Sequence, residues 1–370
     1  MALTFSVEQP GLPGMCLIAD AVEKLARDSD HNERGAIFTR REVVDFMLDL
    51  AGYTVSHPLH RMRLLEPSFG GGEFLLAAAT RLVAAAQAAD ASVDLADCIR
   101  AVELHGNTFT ATRAKLIDLL DRSGIAATES RRLAGAWLLH GDFLLSELAG
   151  KFDFVVGNPP YVRQELIPPP LLAEYRRRYV SLYDRADLYV PFIERSLELL
   201  ADGGQFAFIC ADRWTKNKYG GPLRAMVARA FHLKAYVDMV DTPAFDSDVI
   251  AYPAITLIER AAPGPTLVAK QPGLLASELS ELADVLRAGK PCAELGVAVV
   301  EQASIGAEPW VLSSSDKRAL LRRLEGLFPT LEEAGCKVGI GVATGADKAF
   351  IAPMTELDVE ASRKLPLATT

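Results

Sequence analysis

Between residues 63 and 260, short apolar runs alternate with stretches whose apolar positions recur every three or four residues. The short runs predict buried strands at 63–66, 99–103, 136–140, 152–156, 205–210, 235–240 and 254–258. The longer periodicity predicts helices at 72–88, 108–120, 188–200 and 222–230. Such alternation predicts an α/β fold with a doubly wound, mostly parallel, Rossmann-like sheet. Upstream, apolar residues at 43, 44, 46, 47, 48 and 50 predict a helix over 39–50, capped by Thr39. Pro263, Gly264, Pro265, Pro272 and Gly273 predict a linker over 261–275, and helices over 276–288 and 315–325 follow. The chain thus divides into an N-terminal helical segment (1–35), the α/β domain (36–260), a linker with connecting helices (261–330) and a C-terminal appendage (331–370).

Composition narrows the setting. Half of the 370 residues are apolar, enough for a sizeable core, and no run of 18 apolar residues suggests a membrane span. Five scattered cysteines without a Cys-x-x-Cys fit a reducing, cytoplasmic compartment, and six histidines without ligand spacing give no metal site. A net charge of −9 argues against purely electrostatic binding to nucleic acid. Local basic stretches exist nonetheless: Arg163, Arg176, Arg177, Arg178 and Arg185 in one, Lys216, Lys218 and Arg224 in another. Each could be a solvated helix face; their place after the turn described next makes phosphate contact the expectation.

The apolar run Phe154-Val155-Val156 ends abruptly at Gly157-Asn158-Pro159-Pro160-Tyr161. Two prolines cannot continue a ladder, so the chain turns at the carboxyl end of a strand, the edge where open α/β sheets bind ligands. Asn-Pro-Pro-Tyr after an apolar strand resembles the catalytic motif of amino-methyltransferases, above all those acting on adenine N6, an exocyclic amine that is a poor nucleophile because its lone pair is conjugated to the purine. Two acceptors aimed at its hydrogens favour the pyramidal, reactive nitrogen. The Asn158 side-chain oxygen and the Pro159 carbonyl are such acceptors, and Pro160 stiffens the turn. Tyr161 can stack on a base taken out of a duplex. A plain proline turn with a structural Asn is the bland alternative.

Three other strand ends carry matching groups. Glu66-Pro67-Ser68-Phe69-Gly70-Gly71-Gly72-Glu73-Phe74 follows the first strand and opens a helix. Its spacing is neither a dinucleotide fingerprint nor a P-loop. With an acid at the strand end, it suits a ligand bearing an amino group and a sulfonium, such as S-adenosyl-L-methionine. Glu103 ends the second strand, where an acid can accept both ribose hydroxyls. Gly141-Asp142-Phe143 ends the third: Asp142 can accept from an adenine amine and Phe143 can pack on its ring. Singly these are strand-end caps; four in succession are not expected by chance.

In order, Gly35-x-x-Phe38-Thr39, Glu66-Pro67-x-x-Gly70-x-Gly72-x-Phe74, Glu103, Gly141-Asp142-Phe143 and Asn158-Pro159-Pro160-Tyr161 resemble the gamma class of adenine-N6 DNA methyltransferases of restriction–modification systems. The resemblance covers roughly residues 30–260. It implies S-adenosylmethionine as cofactor, double-stranded DNA as partner, a flipped adenine as substrate and a bacterial or archaeal cytoplasm as location. It implies a catalytic role for Asn158, Pro159, Pro160 and Tyr161. The implied cofactor set is Phe38, Thr39, Glu66, Pro67, Ser68, Phe69, Gly70, Gly72, Phe74, Glu103, Asp142, Phe143, Asn158 and Pro160, with Phe38 and Thr39 behind the methionine moiety. Tyr161, Arg163 and Tyr219 are the expected substrate contacts. Tyr219 belongs to the segment Asp212-x-Trp214-x4-Tyr219-Gly220, which resembles the family's second base-pocket aromatic, although Trp214 can equally be core. Residues 337–351 resemble the opening of a target-recognition domain, which implies a truncated or unusually short chain whose main DNA affinity lies elsewhere.

Two other classes compete. Protein glutamine or RNA amine methyltransferases share the Asn-Pro-Pro-Tyr chemistry, but the glutamine-modifying relatives carry an Asp-x-Gly-x-Gly-x-Gly loop that this chain lacks. A non-catalytic specificity subunit would not be expected to keep Asn158 and the glycines. No nuclease constellation is evident in the sequence, so either a separate restriction or defence subunit cleaves DNA or the methylation serves another purpose.

Overall fold

The computed structural model describes residues 16–27, 38–89, 93–246, 252–301, 303, 306–312, 320, 323–337 and 351–364. Gly35, most of the segment 337–351 and most of the helix expected over 315–325 lie outside the described residues. The chain forms two units, residues 1–318 and 319–370.

The larger unit is built on a nine-stranded sheet in the order β3-β2-β1-β4-β5-β7-β6-β8-β9. Its strands are β1 (Leu64–Glu66), β2 (Ile99–Glu103), β3 (Leu138–His140), β4 (Phe152–Gly157), β5 (Leu200–Ala211), β6 (His232–Asp238), β7 (Pro253–Glu259), β8 (Thr266–Lys270) and β9 (Ala298–Val300). The central strand β1 pairs in parallel with β2 on one side and β4 on the other, Leu64 facing both Ile99 and Phe154. The chain winds outward through β2 and β3, then returns to β4 across β1. That reversal opens a crevice at the carboxyl ends of β1 and β4, where Glu66 and the Asn158 turn both fall. Strand β7 runs antiparallel between β5 and β6, so the sheet is mixed towards its later edge.

The pleat sends alternate side chains to two apolar layers. Leu64, Phe154, Val156, Ala207 and Ile209 face a layer with α2 (Arg41–Ala51), α3 (Glu73–Ala88), α4 (Gly106–Arg122), α5 (Ala127–Trp137) and α10 (Ala276–Ala288). Leu65, Val155, Phe206 and Phe208 face the other, with α1 (Leu17–Arg27), α6 (Pro169–Arg178), α7 (Tyr189–Glu198), the short α8 (Arg213–Lys216) and α9 (Gly221–Ala230). Burial on both sides explains why the central strands read as unbroken apolar runs.

Several expectations are corrected. The proline-rich stretch expected as a linker contains β8, because the prolines bracket the apolar run Leu267-Val268-Ala269, which pairs with β6. Strand β9 extends the sheet beyond it. Helices α5 and α6 were not predicted, and α6 starts on Pro169 and Pro170, where missing N–H groups are tolerated. Thr39 does not cap α2. The N-cap is Arg40, without a side-chain hydrogen bond, while Thr39 forms an antiparallel bridge with Phe245.

The smaller unit shows a helical turn over 323–327 and a turn at 330–335 in its described residues. Thr330 and Glu333 form a reciprocal cap: the Thr330 N–H donates to Glu333 Oε2 at 2.8 Å and the Glu333 N–H to Thr330 Oγ1 at 3.2 Å.

Candidate functional site

At the crevice lies a cavity lined by Phe38, Thr39, Glu66, Pro67, Ser68, Phe69, Gly70, Phe74, Glu103, Asp142, Phe143, Asn158 and Pro160. These come from five separate segments, and every one was named in the sequence as a cofactor residue. Gly72 stands just behind, as the N-cap of α3 with φ +95°. A Cβ there would lie 2.7 Å from Thr112 Cγ2, so the loop could not close with a larger residue.

The acids are held by their surroundings. Glu103 is buried, accepting from the Gly70 N–H at 3.0 Å through Oε2 and from the His105 N–H at 2.8 Å through Oε1. Each oxygen keeps a second lone pair, the arrangement a vicinal diol needs. Asp142 is buried too. Its Oδ1 accepts from the Leu144 N–H at 2.7 Å and its Oδ2 from the Tyr175 hydroxyl. Burial raises the Asp142 carboxyl above its ordinary range, against the opposing pull of those two donors. Phe143 packs on Phe192 with centroids 5.0 Å apart, under the Arg195 guanidinium.

Glu66 differs from both. It is 1% exposed, and its Oε2 makes no hydrogen bond among the described residues. Burial, with Glu73 and Glu103 nearby, pushes its carboxyl well above the usual carboxylate range.

Asn158 reaches back 119 residues: its Nδ2 donates to Thr39 Oγ1 at 3.3 Å. The amide is thereby turned so that its oxygen points away from Thr39. Thr39 is itself fixed by the β6–β7 connection, since the Arg40 N–H donates to Ala244 O at 3.0 Å and the Asp246 N–H to Phe38 O at 3.1 Å. Two motifs far apart in sequence therefore meet at one contact.

Tyr161 and Tyr219 are not among the residues that line the cavity. The Tyr161 ring is 6.1 Å from that of Tyr189, whose hydroxyl is 3.1 Å from the Tyr219 hydroxyl. All three phenols are pushed up, chiefly by burial. Trp214 is fully buried, edge-on to Trp310 at 5.3 Å, and is core.

The basic stretches are largely spoken for. Arg177 and Arg178 both pair with the buried Glu174, at 2.8 and 2.6 Å, and their guanidinium groups pull its carboxyl down to about 2. Arg176 donates to Gln164 Oε1 at 2.7 Å. Arg224 is 1% exposed and donates to the carbonyls of Trp214, Asn217 and Ala307, and Lys216 pairs with Asp212. Burial takes Arg224 out of reach of a phosphate, while Arg163, Arg176, Arg177, Arg185, Lys216 and Lys218 stay exposed.

Sequence reasoning missed Glu73, His105, Tyr175, Leu188 and Phe192, which also line the cavity. Glu73 and His105 sit next to named motifs and were open to discovery. Tyr175 arrives on α6, which the sequence did not predict; Leu188 and Phe192 arrive at the start of α7, a helix predicted over 188–200 but not as part of the site. No described helix is long and apolar enough to cross a membrane.

Residues 92–245 match the Eco57I restriction-modification methylase family. Along its whole length the chain is 60% identical to the Type II methyltransferase M.PaeR7I of Pseudomonas aeruginosa, covering 66% of that protein. Over 92% of its length it is 53% identical to the Type II methyltransferase M.XhoI of Xanthomonas vasicola, covering 64% of that protein. The chain thus spans just under two thirds of these curated relatives. In structure it is similar to a putative class I S-adenosylmethionine-dependent methyltransferase from Listeria monocytogenes. That likeness has a TM-score of 0.50 and 15% identity, and covers 73% of this chain and 76% of the other.

Proposed function

We propose, from the premise that this chain belongs to the restriction–modification methylases, that it carries the S-adenosylmethionine-dependent transfer of a methyl group to N6 of adenine in double-stranded DNA. The observation that carries this reading is the Asn158 amide, held by Thr39 at the mouth of the acid-lined cavity. When bound, the cofactor supplies an electrophilic methyl on a sulfonium.

The residues present fit such a group. Glu103, already fixed by two backbone donors, would take the ribose hydroxyls on its free lone pairs. Asp142 would accept from the adenine amine of the cofactor, with Phe143 against that ring. Asn158 Oδ1 and the Pro159 carbonyl would accept the two hydrogens of the target amine and raise the electron density on its nitrogen. After transfer, the surplus proton leaves the amine along that hydrogen bond towards solvent. Tyr161 would stack on the flipped base, with Tyr219 and Arg163 beside it.

A cytoplasmic location, a separate restriction partner and further recognition of the target sequence belong to the same reading, since the chain spans only part of its relatives. The test is direct. The purified chain is incubated with duplex DNA and a labelled methyl donor, and the hydrolysed nucleosides are identified by mass. N6-methyladenine, lost in Asn158→Ala, supports the reading. Methylcytosine in its place, or label only on protein or RNA, overturns it.

A further inference from the structure

The cavity is lined by two carboxyls, Glu66 and Glu73, that the ligand contacts proposed above do not use. Glu66 is buried beside the Asn158 turn: a Cβ on Gly157 would stand 3.8 Å from Glu66 Cγ. Glu73, on the first turn of α3, folds over the glycine loop. A Cβ on Gly71 would stand within 2.4 Å of Glu73 Oε1 and 3.1 Å of Phe38 Cε1. Both carboxyls line the one cavity, and Glu66 Oε2 has no donor among the described residues. A buried carboxyl oxygen without a donor is costly unless something positive or protonated meets it.

The position of that positive charge follows from the reaction, and this step rests on the cofactor reading above. The methyl group must pass to an amine held at Asn158. The sulfur that carries it must therefore sit beside Asn158, and so beside Glu66. Before transfer the sulfur is a sulfonium; afterwards it is a neutral thioether. Everything else in the ligand is unchanged.

We propose that Glu66 and Glu73 act as a charge discriminator, favouring the sulfonium of the methyl donor over the thioether left by each turnover, and so hasten product exchange. Burial, with the acidic neighbours Glu73 and Glu103, pushes the Glu66 carboxyl well above the usual carboxylate range. Glu73 is raised by burial and faces Lys115 and Asp246, of opposite sign to each other. Arrival of the sulfonium favours the carboxylate, and the acid proton passes to buffer. The thioether gives no such release.

Calorimetric titration with three ligands tests this: S-adenosylmethionine, S-adenosylhomocysteine, and sinefungin, which carries an ammonium where the sulfonium stands. Glu66→Gln keeps shape and removes charge, and it should shift the ratio of sulfonium to thioether affinity by about tenfold against the sulfonium. Glu73→Gln should shift it in the same direction by roughly threefold, and Glu73→Asp should restore most of it. Sinefungin should follow the sulfonium. Repeating the titration in buffers of different ionisation enthalpy should show proton release with the sulfonium alone, diminished in Glu66→Gln. Thioether binding reports that each variant is folded. An unchanged ratio in both Gln variants, or sinefungin tracking the thioether, overturns the proposal. If the unaltered chain binds none of the three, it is the cofactor reading that falls, and this inference with it.

Discussion

The two halves of the site are built differently. On the cofactor side, Glu103 and Asp142 are fixed by backbone donors and by Tyr175, around a cavity that is already open. On the expected base side, the Tyr161 and Tyr189 rings stand 6.1 Å apart and the Tyr189 and Tyr219 hydroxyls meet at 3.1 Å. A preorganised half can bind without rearrangement, whereas aromatics packed on one another would have to part before a base enters between them. On the proposed reading, affinity for the small ligand would rest on fixed strand ends, and admission of the base on side chains that would have to move.

Loss of Asn158, at the junction, should break the chemistry while sparing the cofactor half. Replacing it by Ala should lower methyl transfer by about two orders of magnitude or more, as for loss of one preorganised group at the transition state. Cofactor affinity should change little. Single-turnover rates with a labelled donor check this, and a near-normal rate would remove Asn158 from the chemistry.

Glu103→Ala strikes the rigid half alone. Loss of a charge-assisted acceptor should weaken cofactor binding by about 1.5–3 kcal/mol, measured by calorimetry. Unchanged affinity would make Glu103 only a brace for the glycine loop.

Tyr219→Phe sharpens the contrast from the other side. It deletes the hydroxyl contact with Tyr189, a bond worth about 0.5–1.5 kcal/mol. If the aromatics must part, KM for DNA should move by a few-fold while cofactor affinity stays put. Equal changes in both would erase the distinction between the halves.

The smallest effect concerns α6, which carries Tyr175 to the rigid half. Its Glu174 carboxyl is lowered from 4.5 to about 2 by Arg177 and Arg178. A lowered folded value means stability present above the unfolded value and lost as pH falls from about 4.5 towards 2. Glu174→Gln should flatten that acid limb in thermal melts while leaving the midpoint at neutral pH lower than in the parent chain. An unaltered pH profile would deny the ion pairs any part in holding α6.

Sequence made the strand-end half legible and the aromatic half only partly so. Glu66, Glu103, Asp142 and Asn158 could be named because each ends a strand whose apolar run announces it, and strand ends converge by topology. Tyr175 could not, because its contact with Asp142 depends on how α6 packs, and packing leaves no periodic trace. The linker reading of 261–275 failed because prolines at both ends of β8 outweighed three apolar residues between them. The basic stretch was legible only as charge: that Arg177 and Arg178 share one buried carboxyl, Glu174, is not recognisable until the helix is in place.

The clamp on Thr39 has a consequence for the order of assembly. Arg40 donates through Nε to Phe245 O at 3.0 Å, across 205 residues of chain, and Asn158 takes its orientation from the neighbour of that contact. A bond spanning so much sequence forms only after the intervening strands have paired, because the entropy of closing the loop is otherwise unrecovered. A nascent or partly refolded chain can thus present its acid-lined cavity before its amide is aimed. Ligand occupancy and catalytic competence should emerge as two separate kinetic phases on refolding, with competence the later.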